Sequence, residues 1–244
     1  MTNSPVWLVT GASRGIGAAI ADRAKMAGCR VALLSRRIAG SEGARQIGEN
    51  ALVVNADISD PVSVKAAIET TIDHFGQLNV VINNAGLHLG GKIRNLPKTD
   101  WQAVLDVNLS GPFSVIQCAV PYLTEGSSIV NIGAVVGLRG FPGDSAYASS
   151  KAGLIGLTKA LSIELARQDI TVNVVIPGLV LTDMTSGVSE VAMEKMRNQI
   201  PLRRLGAEVE IAEVVYWVSQ SRYMTGAVVP VDGGLLASFG VTGQ

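Results

Sequence analysis

Along this chain of 244 residues, short apolar runs alternate with longer stretches in which apolar positions recur every three or four residues. Val6–Val9, Val31–Leu34, Leu52–Val54, Val80–Ile82, Ile129–Ile132, Val172–Ile176 and Val228–Val231 are β-branched and nearly uninterrupted. Gly, Asn, Asp or Pro bounds them. Such runs suit parallel strands buried on both faces, because a strand with one wet face would alternate. Between them, Ile16–Ala27, Val62–Phe75, Trp101–Leu123, Ala148–Arg167 and Val209–Gln220 carry the 3.6-residue period of helices with one buried side. Strand–helix alternation predicts an α/β fold, a doubly wound parallel sheet, as a single domain over residues 1–244. Asp60 before Pro61 reads as an acceptor cap followed by a first-turn proline. Residues 183–206 are the least regular part. They follow the strand ending at Ile176 and read as a substrate lid.

Composition narrows the picture. Hydrophobic residues make up 48% of the chain and aromatic residues 5%, so the core must be mainly aliphatic. Lys+Arg and Asp+Glu each number 20, which leaves no basic excess for nucleic acid or an anionic membrane surface. No apolar run reaches the roughly 18 residues of a membrane span. The start Met1-Thr2-Asn3-Ser4-Pro5 lacks a basic segment followed by an apolar one, and the expectation is a cytoplasmic protein. Cys29 and Cys118 lie in apolar stretches and read as reduced thiols. His74 and His88 stand apart from any cluster at metal-ligand spacing, so no metal is assigned.

The first strand runs into Gly11-x-x-x-Gly15-x-Gly17 and a helix follows. Glycines permit a sharp turn and close approach of backbone to phosphate, and the helix start presents free N–H groups to the negative charge. The second strand ends in Leu34-Ser35-Arg36-Arg37 rather than in the acidic residue that accepts hydrogen bonds from an NAD ribose. With Ser35 beside them, the guanidinium groups of Arg36 and of Arg14 in the glycine turn could clamp a 2′-phosphate, which points to NADP(H). Further on, Tyr147 and Lys151 lie four apart at the start of a helix and share one face. An ammonium beside a phenol, together with an oxidised nicotinamide, is expected to favour the phenolate and lower the tyrosine pKa. A phenol so placed can exchange a proton with a carbonyl oxygen while hydride moves to or from its carbon.

Thr10-Gly11-Ala12-Ser13-Arg14-Gly15-Ile16-Gly17, Asn83-Asn84-Ala85-Gly86, Asn108 and Tyr147-x-x-x-Lys151 together resemble the short-chain dehydrogenase/reductase family, over about Val6 to Gly234. The resemblance implies a Rossmann-type sheet, NADP(H) as cofactor and a ketone/secondary-alcohol substrate pair. It implies Tyr147 as acid/base, Lys151 as its tuner and ribose ligand, and Asn108 as the holder of a water in the proton relay. Gly11, Ser13, Arg14, Gly15, Ile16, Gly17, Ser35, Arg36, Asp57, Ile58, Asn84, Ala85, Gly86, Pro177, Gly178 and Thr182 are the implied cofactor contacts. Among them Asp57 would bind adenine and Thr182 the carboxamide. The family places a serine 13 residues ahead of its tyrosine to orient the substrate oxygen, and here that position is Ala134. Three readings of Ala134 stand: a disabling substitution, a substitute donor such as Ser145 or an ordered water, or a catalytically weak or inactive cofactor-binding subunit of a mixed oligomer.

Within the family the chain is most similar to 3-oxoacyl-[acyl-carrier-protein] reductases. Ile170–Val175, Thr182-Asp183-Met184-Thr185 and Ile200-Pro201-Leu202 carry that likeness. Those reductases present basic residues before the fifth strand to an acidic carrier protein. Here that stretch is Thr124-Glu125-Gly126-Ser127-Ser128, and Arg167 is followed by Gln168 and Asp169. The expected substrate is therefore a small apolar ketone or alcohol or an acyl thioester. Leu138, Phe141, Met184, Met193 and Met196 are candidates for the pocket. A homotetramer is expected, built through Trp101–Leu123, Ala148–Arg167 and the C-terminal strand region.

Overall fold

The structure, a computed structural model, describes residues 4–36, 50–181 and 190–238. Seven parallel strands form one sheet in the order β3-β2-β1-β4-β5-β6-β7. They are β1 (Val6–Thr10), β2 (Arg30–Ser35), β3 (Ala51–Asn55), β4 (Leu78–Asn83), β5 (Leu123–Ile132), β6 (Thr171–Pro177) and β7 (Val228–Val231). The described helices are α1 (Gly15–Met26), α2 (Pro61–Phe75), α3 (Lys98–Leu105), α4 (Gly111–Ala119), α5 (Val136–Arg139), α6 (Ser145–Glu164), α7 (Glu190–Gln199) and α8 (Glu208–Gln220). The sheet is parallel throughout and doubly wound, as the uninterrupted apolar runs predicted.

Strand residues alternate between two cores. Val6 and Leu8 face α2 and α4, joining Val64, Ile68, Val115 and Ile116. Trp7 and Val9 face α1 and α8, joining Ile20, Ala24, Ile211 and Val215. Each fully buried aliphatic side chain stabilises the fold by about 1.5–3 kcal/mol relative to exposure. Winding reverses between β1 and β4, so the loops leaving these strands part in opposite directions and open a crevice at their carboxyl ends. Glycine turn, Asn-Asn-Ala-Gly loop and Tyr-x-x-x-Lys helix all gather at that edge.

The long helix expected over Trp101–Leu123 is interrupted. A π turn at Asp106–Ser110 joins α3 to α4, and a 3₁₀ turn at Val120–Tyr122 leads straight into β5. The π turn brings Asn108 to complete burial. The whole stretch Lys98–Tyr122 is long and apolar enough to cross a membrane, with mean hydropathy 1.3. It lies against the sheet, with Val104, Val115, Ile116 and Ala119 buried. Two helices carried no clear period: α5, a single turn after Ala134, and α7, inside the segment expected to be irregular. Cys29 and Cys118 are free thiols, and burial raises the Cys29 pKa.

Asp60 caps α2 as its sequence position suggested. Its carboxylate accepts from the Val62 N–H at 3.0 Å, with Pro61 in the first turn and Gly76 closing the helix at φ 75°. Asp60→Ala is expected to lower stability by about 1 kcal/mol while leaving cofactor affinity unchanged. Denaturant unfolding beside an NADPH titration checks this. A loss of affinity would mean that the cap also holds the neighbouring Asp57 segment in place.

Candidate active site

The glycine turn is held from two sides. Gly11 and Ala12 donate to the Leu34 carbonyl at 2.8 and 3.3 Å, which sets the turn beside the end of β2 and so beside Ser35 and Arg36. On its other side, the Thr10 hydroxyl accepts from the N–H groups of Asn84 and Ala85 at 3.0 and 3.1 Å. The Asn84 amide donates to the carbonyls of Thr10 and Gly11 at 3.0 and 3.2 Å. Gly11 has φ 67°, and a Cβ there would lie 2.7 Å from the Ala85 Cα. A Cβ on Gly17 would lie 2.3 Å from the Gly11 carbonyl oxygen. These two glycines are therefore required for packing, and Asn84 acts as a brace of the turn.

The start of α1 fits a phosphate. Arg14 at the cap position has an extended backbone and makes no capping side-chain bond, and the first turn contains no acidic residue. N–H groups at such a start seek an anion. Ser13 is half-buried in the turn, and Arg14 is exposed there. Arg36 is exposed at the end of β2. Its charge reaches Asp57, whose carboxyl lies below the usual range mainly through the Ser59 hydroxyl at 2.6 Å, with Arg36 adding a smaller push. Ile58 and Ile16 are different: their side chains pack in the two cores, leaving their backbone to face a ligand. The groups present fit a dinucleotide with an added phosphate. Arg37 and Thr182 lie outside the described residues, as do Asp183 and Met184.

Asn108 ties the next loop to the catalytic helix. Its amide oxygen accepts from the Leu87 N–H at 2.7 Å, and its nitrogen donates to the Leu87 carbonyl at 2.8 Å and the Ser150 hydroxyl at 3.1 Å. Ser150 donates in turn to the Tyr147 carbonyl at 2.7 Å. Gly86 sits between Asn108 and Lys151, its would-be Cβ 3.6 and 3.9 Å from their side-chain tips. At the other wall, Gly133 donates to Val175 and Val135 to Pro177, at 2.8 and 3.2 Å. These bonds place Ala134 across from Pro177 and Gly178. A Cβ on Gly178 would lie 2.6 Å from the Asp232 Cα, which fixes that turn close against β7.

Tyr147 and Lys151 project from the same face of α6, with the Lys151 ammonium 5.6 Å from the tyrosine ring centre. Lys151 is buried and donates to the Ile132 carbonyl at 2.8 Å. The Tyr147 hydroxyl makes no hydrogen bond to a described residue. The lowering expected with an oxidised nicotinamide in place is not produced by the protein's own groups. Burial, with a smaller push from the Asp144 carboxylate, moves Tyr147 up to about 12. Burial moves Lys151 down to about 8. Desolvation exceeds the field of an ammonium that is itself desolvated and directed at a backbone carbonyl. Burial therefore favours the phenol form of Tyr147, the form that can give a proton to a carbonyl oxygen.

Two residues to which the sequence assigned no role in catalysis stand beside Tyr147. The His88 ring meets it edge-on, with centres 5.0 Å apart and planes at 85°. His88 Nε2 is 2.9 Å from Asp144 Oδ1. His88 directly follows the Asn-Asn-Ala-Gly loop and Asp144 precedes Tyr147 by three, a placement that could have drawn attention. Ser145, weighed as a substitute donor, has its hydroxyl buried without a partner. Leu138 and Phe141 are exposed, on and after the short α5. Met193 is buried and Met196 half-buried on α7.

A family profile described as Enoyl-(Acyl carrier protein) reductase matches residues 11–236. The chain is 39% identical over 240 residues to 3-oxoacyl-[acyl-carrier-protein] reductase FabG of Staphylococcus aureus, covering 93% of this chain and 96% of that one. It is 39% identical over 235 residues to the human 3-oxoacyl-[acyl-carrier-protein] reductase, covering 94% and 97%. Among solved structures, a blue fluorescent protein from a metagenomic library, in complex with NADPH, aligns with a TM-score of 0.90. It is 34% identical, with 96% of this chain and 98% of that one covered. A dehydrogenase/reductase from Sinorhizobium meliloti 1021 aligns with a TM-score of 0.90 at 36% identity, covering 96% of each chain.

The lowered Lys151 pKa has a consequence for stability. Below pH 8 the fold carries the whole cost of a charged buried amine. Between about 8 and the ordinary 10.5 the unfolded chain still binds the proton and the folded one has lost it, so stability from this group rises with pH. Lys151→Met removes the effect. Unfolding curves at pH 7 and pH 9.5 are expected to show the parent gaining stability relative to Lys151→Met at the higher pH. A constant difference would contradict the buried-amine description.

Proposed function

The chain belongs to the short-chain dehydrogenase/reductase family, and we propose that it transfers hydride between NADP(H) and a ketone/secondary-alcohol pair, with Tyr147 as the acid. The observation that carries this reading is the Tyr147 phenol beside Lys151, within one bonded framework with the start of α1, whose first turn holds no acidic residue. Bound NADPH supplies the hydride for the carbonyl carbon. Tyr147 gives its phenolic proton to the carbonyl oxygen as negative charge develops there. Lys151 restores that proton through the Asn108 side of the site and orients the cofactor ribose. The turn from Gly11 to Gly17 receives the pyrophosphate, with Ser13 and Ile16 in that turn. Arg14, Ser35 and Arg36 receive the 2′-phosphate. Asp57 and Ile58 flank the adenine, Ala85 and Gly86 line the approach to the nicotinamide, and Pro177, Gly178 and Thr182 hold its far side.

Ala134 cannot donate a hydrogen bond, and this supports a reductase running below its potential rate. Removing one such donor costs about 10²–10³ in rate. It equally favours a second reading, an inactive cofactor-binding subunit in a mixed oligomer. The substrate side favours a free ketone or a short acyl thioester over a docked carrier protein. Glu125 and Asp169 are exposed near the start of β5, and the cation there, Arg222, is bonded to the Gly126 carbonyl and to Asp169 at 3.3 Å. Segment 183–206, with α7, would close over the substrate. Exposed apolar side chains on α4, α6 and α8, Phe113, Ile163 and Trp217, suit a homotetramer in the cytoplasm.

Two measurements test this. NADPH oxidation on a panel of apolar ketones and a short 3-oxoacyl thioester is expected to rise by about 10² or more in Ala134→Ser where no other group holds the substrate oxygen, and to stay near the parent rate where another donor already does. Binding of NADPH without turnover in both proteins would favour the subunit reading. Replacing Arg14 and Arg36 together by alanine is expected to weaken NADPH by about 10–100-fold, two charge-assisted contacts being lost. NADH should change little. Equal losses for both nucleotides would remove the 2′-phosphate assignment.

A further inference from the structure

The site described above lacks a group to hold the substrate oxygen opposite Tyr147, and this inference rests on the reductase reading. Ser145 and His88 are polar side chains close in sequence or space to Tyr147 that have no assigned role. Ser145 Oγ is buried and makes no hydrogen bond. It is enclosed in the first turn of α6, so no path to a substrate is visible. His88 is different: its side chain is 42% exposed, and its ring lies directly against that of Tyr147. Asp144 holds it at Nε2, and the Asp144 side chain is only 18% exposed.

We propose that His88, held by Asp144, supplies the hydrogen bond to the substrate oxygen that Ala134 cannot. A carboxylate accepts only, so its bond fixes a proton on Nε2. The other nitrogen, Nδ1, then has no assigned partner among the described residues. In the neutral ring Nδ1 is an acceptor, so the donating form is the imidazolium, with Asp144 balancing its charge. The titratable groups in contact with the ring are Asp144, the residue before α6, and Tyr147 in its first turn, with Lys151 beyond the tyrosine. His88 comes from the loop after β4, whose path is set by the two Asn108 bonds to Leu87. That loop is bonded at the residue before His88, so the imidazole is placed by the same framework that places Tyr147. His88 gives up no proton in the reaction: the proton comes from Tyr147, the hydride from NADPH, and His88 stabilises charge on oxygen while both move.

The test is a double-mutant cycle. With Ala134 present, His88→Ala is expected to lower kcat/KM by about 10²–10³. In Ala134→Ser the same change is expected to cost only a few-fold, because the serine then holds the oxygen. NADPH affinity should be equal in all four proteins. His88→Ala with no loss, or with the same loss in both backgrounds, overturns the proposal, the second result making His88 a support of the loop. The chain has 2 histidines, so ring NMR gives an independent readout. In protein saturated with NADP⁺, a secondary alcohol at the reacting position should shift the His88 signal and leave His74 in place. If none of the four proteins turns over a ketone, the reductase reading fails. The NMR shift then decides alone whether His88 meets a bound alcohol, and its absence overturns the proposal.

Discussion

The Thr10 hydroxyl is the point on which the site is built. It accepts two N–H groups from the loop after β4 and donates to the Ile82 carbonyl at 3.3 Å, so one small side chain locks two loops that leave neighbouring strands. With the loops locked, Gly11 has no room for a side chain, and the turn from Gly11 to Gly17 takes one course. The restraint continues through the same loop. Leu87 bonds Asn108, Asn108 bonds Ser150, and Ser150 bonds the Tyr147 carbonyl. A second buried chain runs parallel to it, from Asn83 through Asn131 at 2.9 Å to Thr158 on α6 at 2.9 Å. Cofactor turn and tyrosine are thus parts of one bonded network, and buried networks of this kind hold geometry, although Asn83 Oδ1 has no partner among the described residues. Rate depends on that geometry, since reacting atoms must meet within a few tenths of an ångström.

Electrostatics in the same place follow from burial more than from pairing. Tyr147 and Lys151 are pushed toward their neutral forms, in opposite directions on the pH scale. That state suits a site waiting to donate a proton. Asp144 works against ionisation of Tyr147, and its bond to His88 gives that charge a partner. The chemistry of the site is therefore divided among more residues than the Tyr-x-x-x-Lys spacing names.

Much of this was legible in the chain because it is local. Seven β-branched runs gave seven strands, and Asp60-Pro61 gave a helix start. The glycine turn could be placed because strand and helix flank it. The long helix was read across its π turn, since the apolar period continues through Asp106–Ser110 while the backbone adds one residue to the turn to bury Asn108. The short α5 carried too few residues for a period. The upward push of burial on Tyr147 was not legible, because spacing reveals the neighbouring lysine and not the depth of burial. His88 and Asp144 are 56 apart in sequence, and neither belongs to a motif. Their meeting follows from the winding of the sheet, which brings the loop after β4 over the start of α6. Asn84 was read as a cofactor contact, and that its side chain also spans to the Thr10 and Gly11 carbonyls was not legible, because those bonds join loops more than 70 residues apart.

The most direct test of the account is Tyr147→Phe, which removes one oxygen and keeps the ring that packs against His88. NADPH binding and unfolding temperature should stay near those of the parent, while ketone-dependent NADPH oxidation in the Ala134→Ser background should fall by about 10²–10⁴, the contribution of a positioned acid. Retained turnover in Tyr147→Phe would mean that another group protonates the carbonyl, and the assignment of the site around Tyr147 would be wrong.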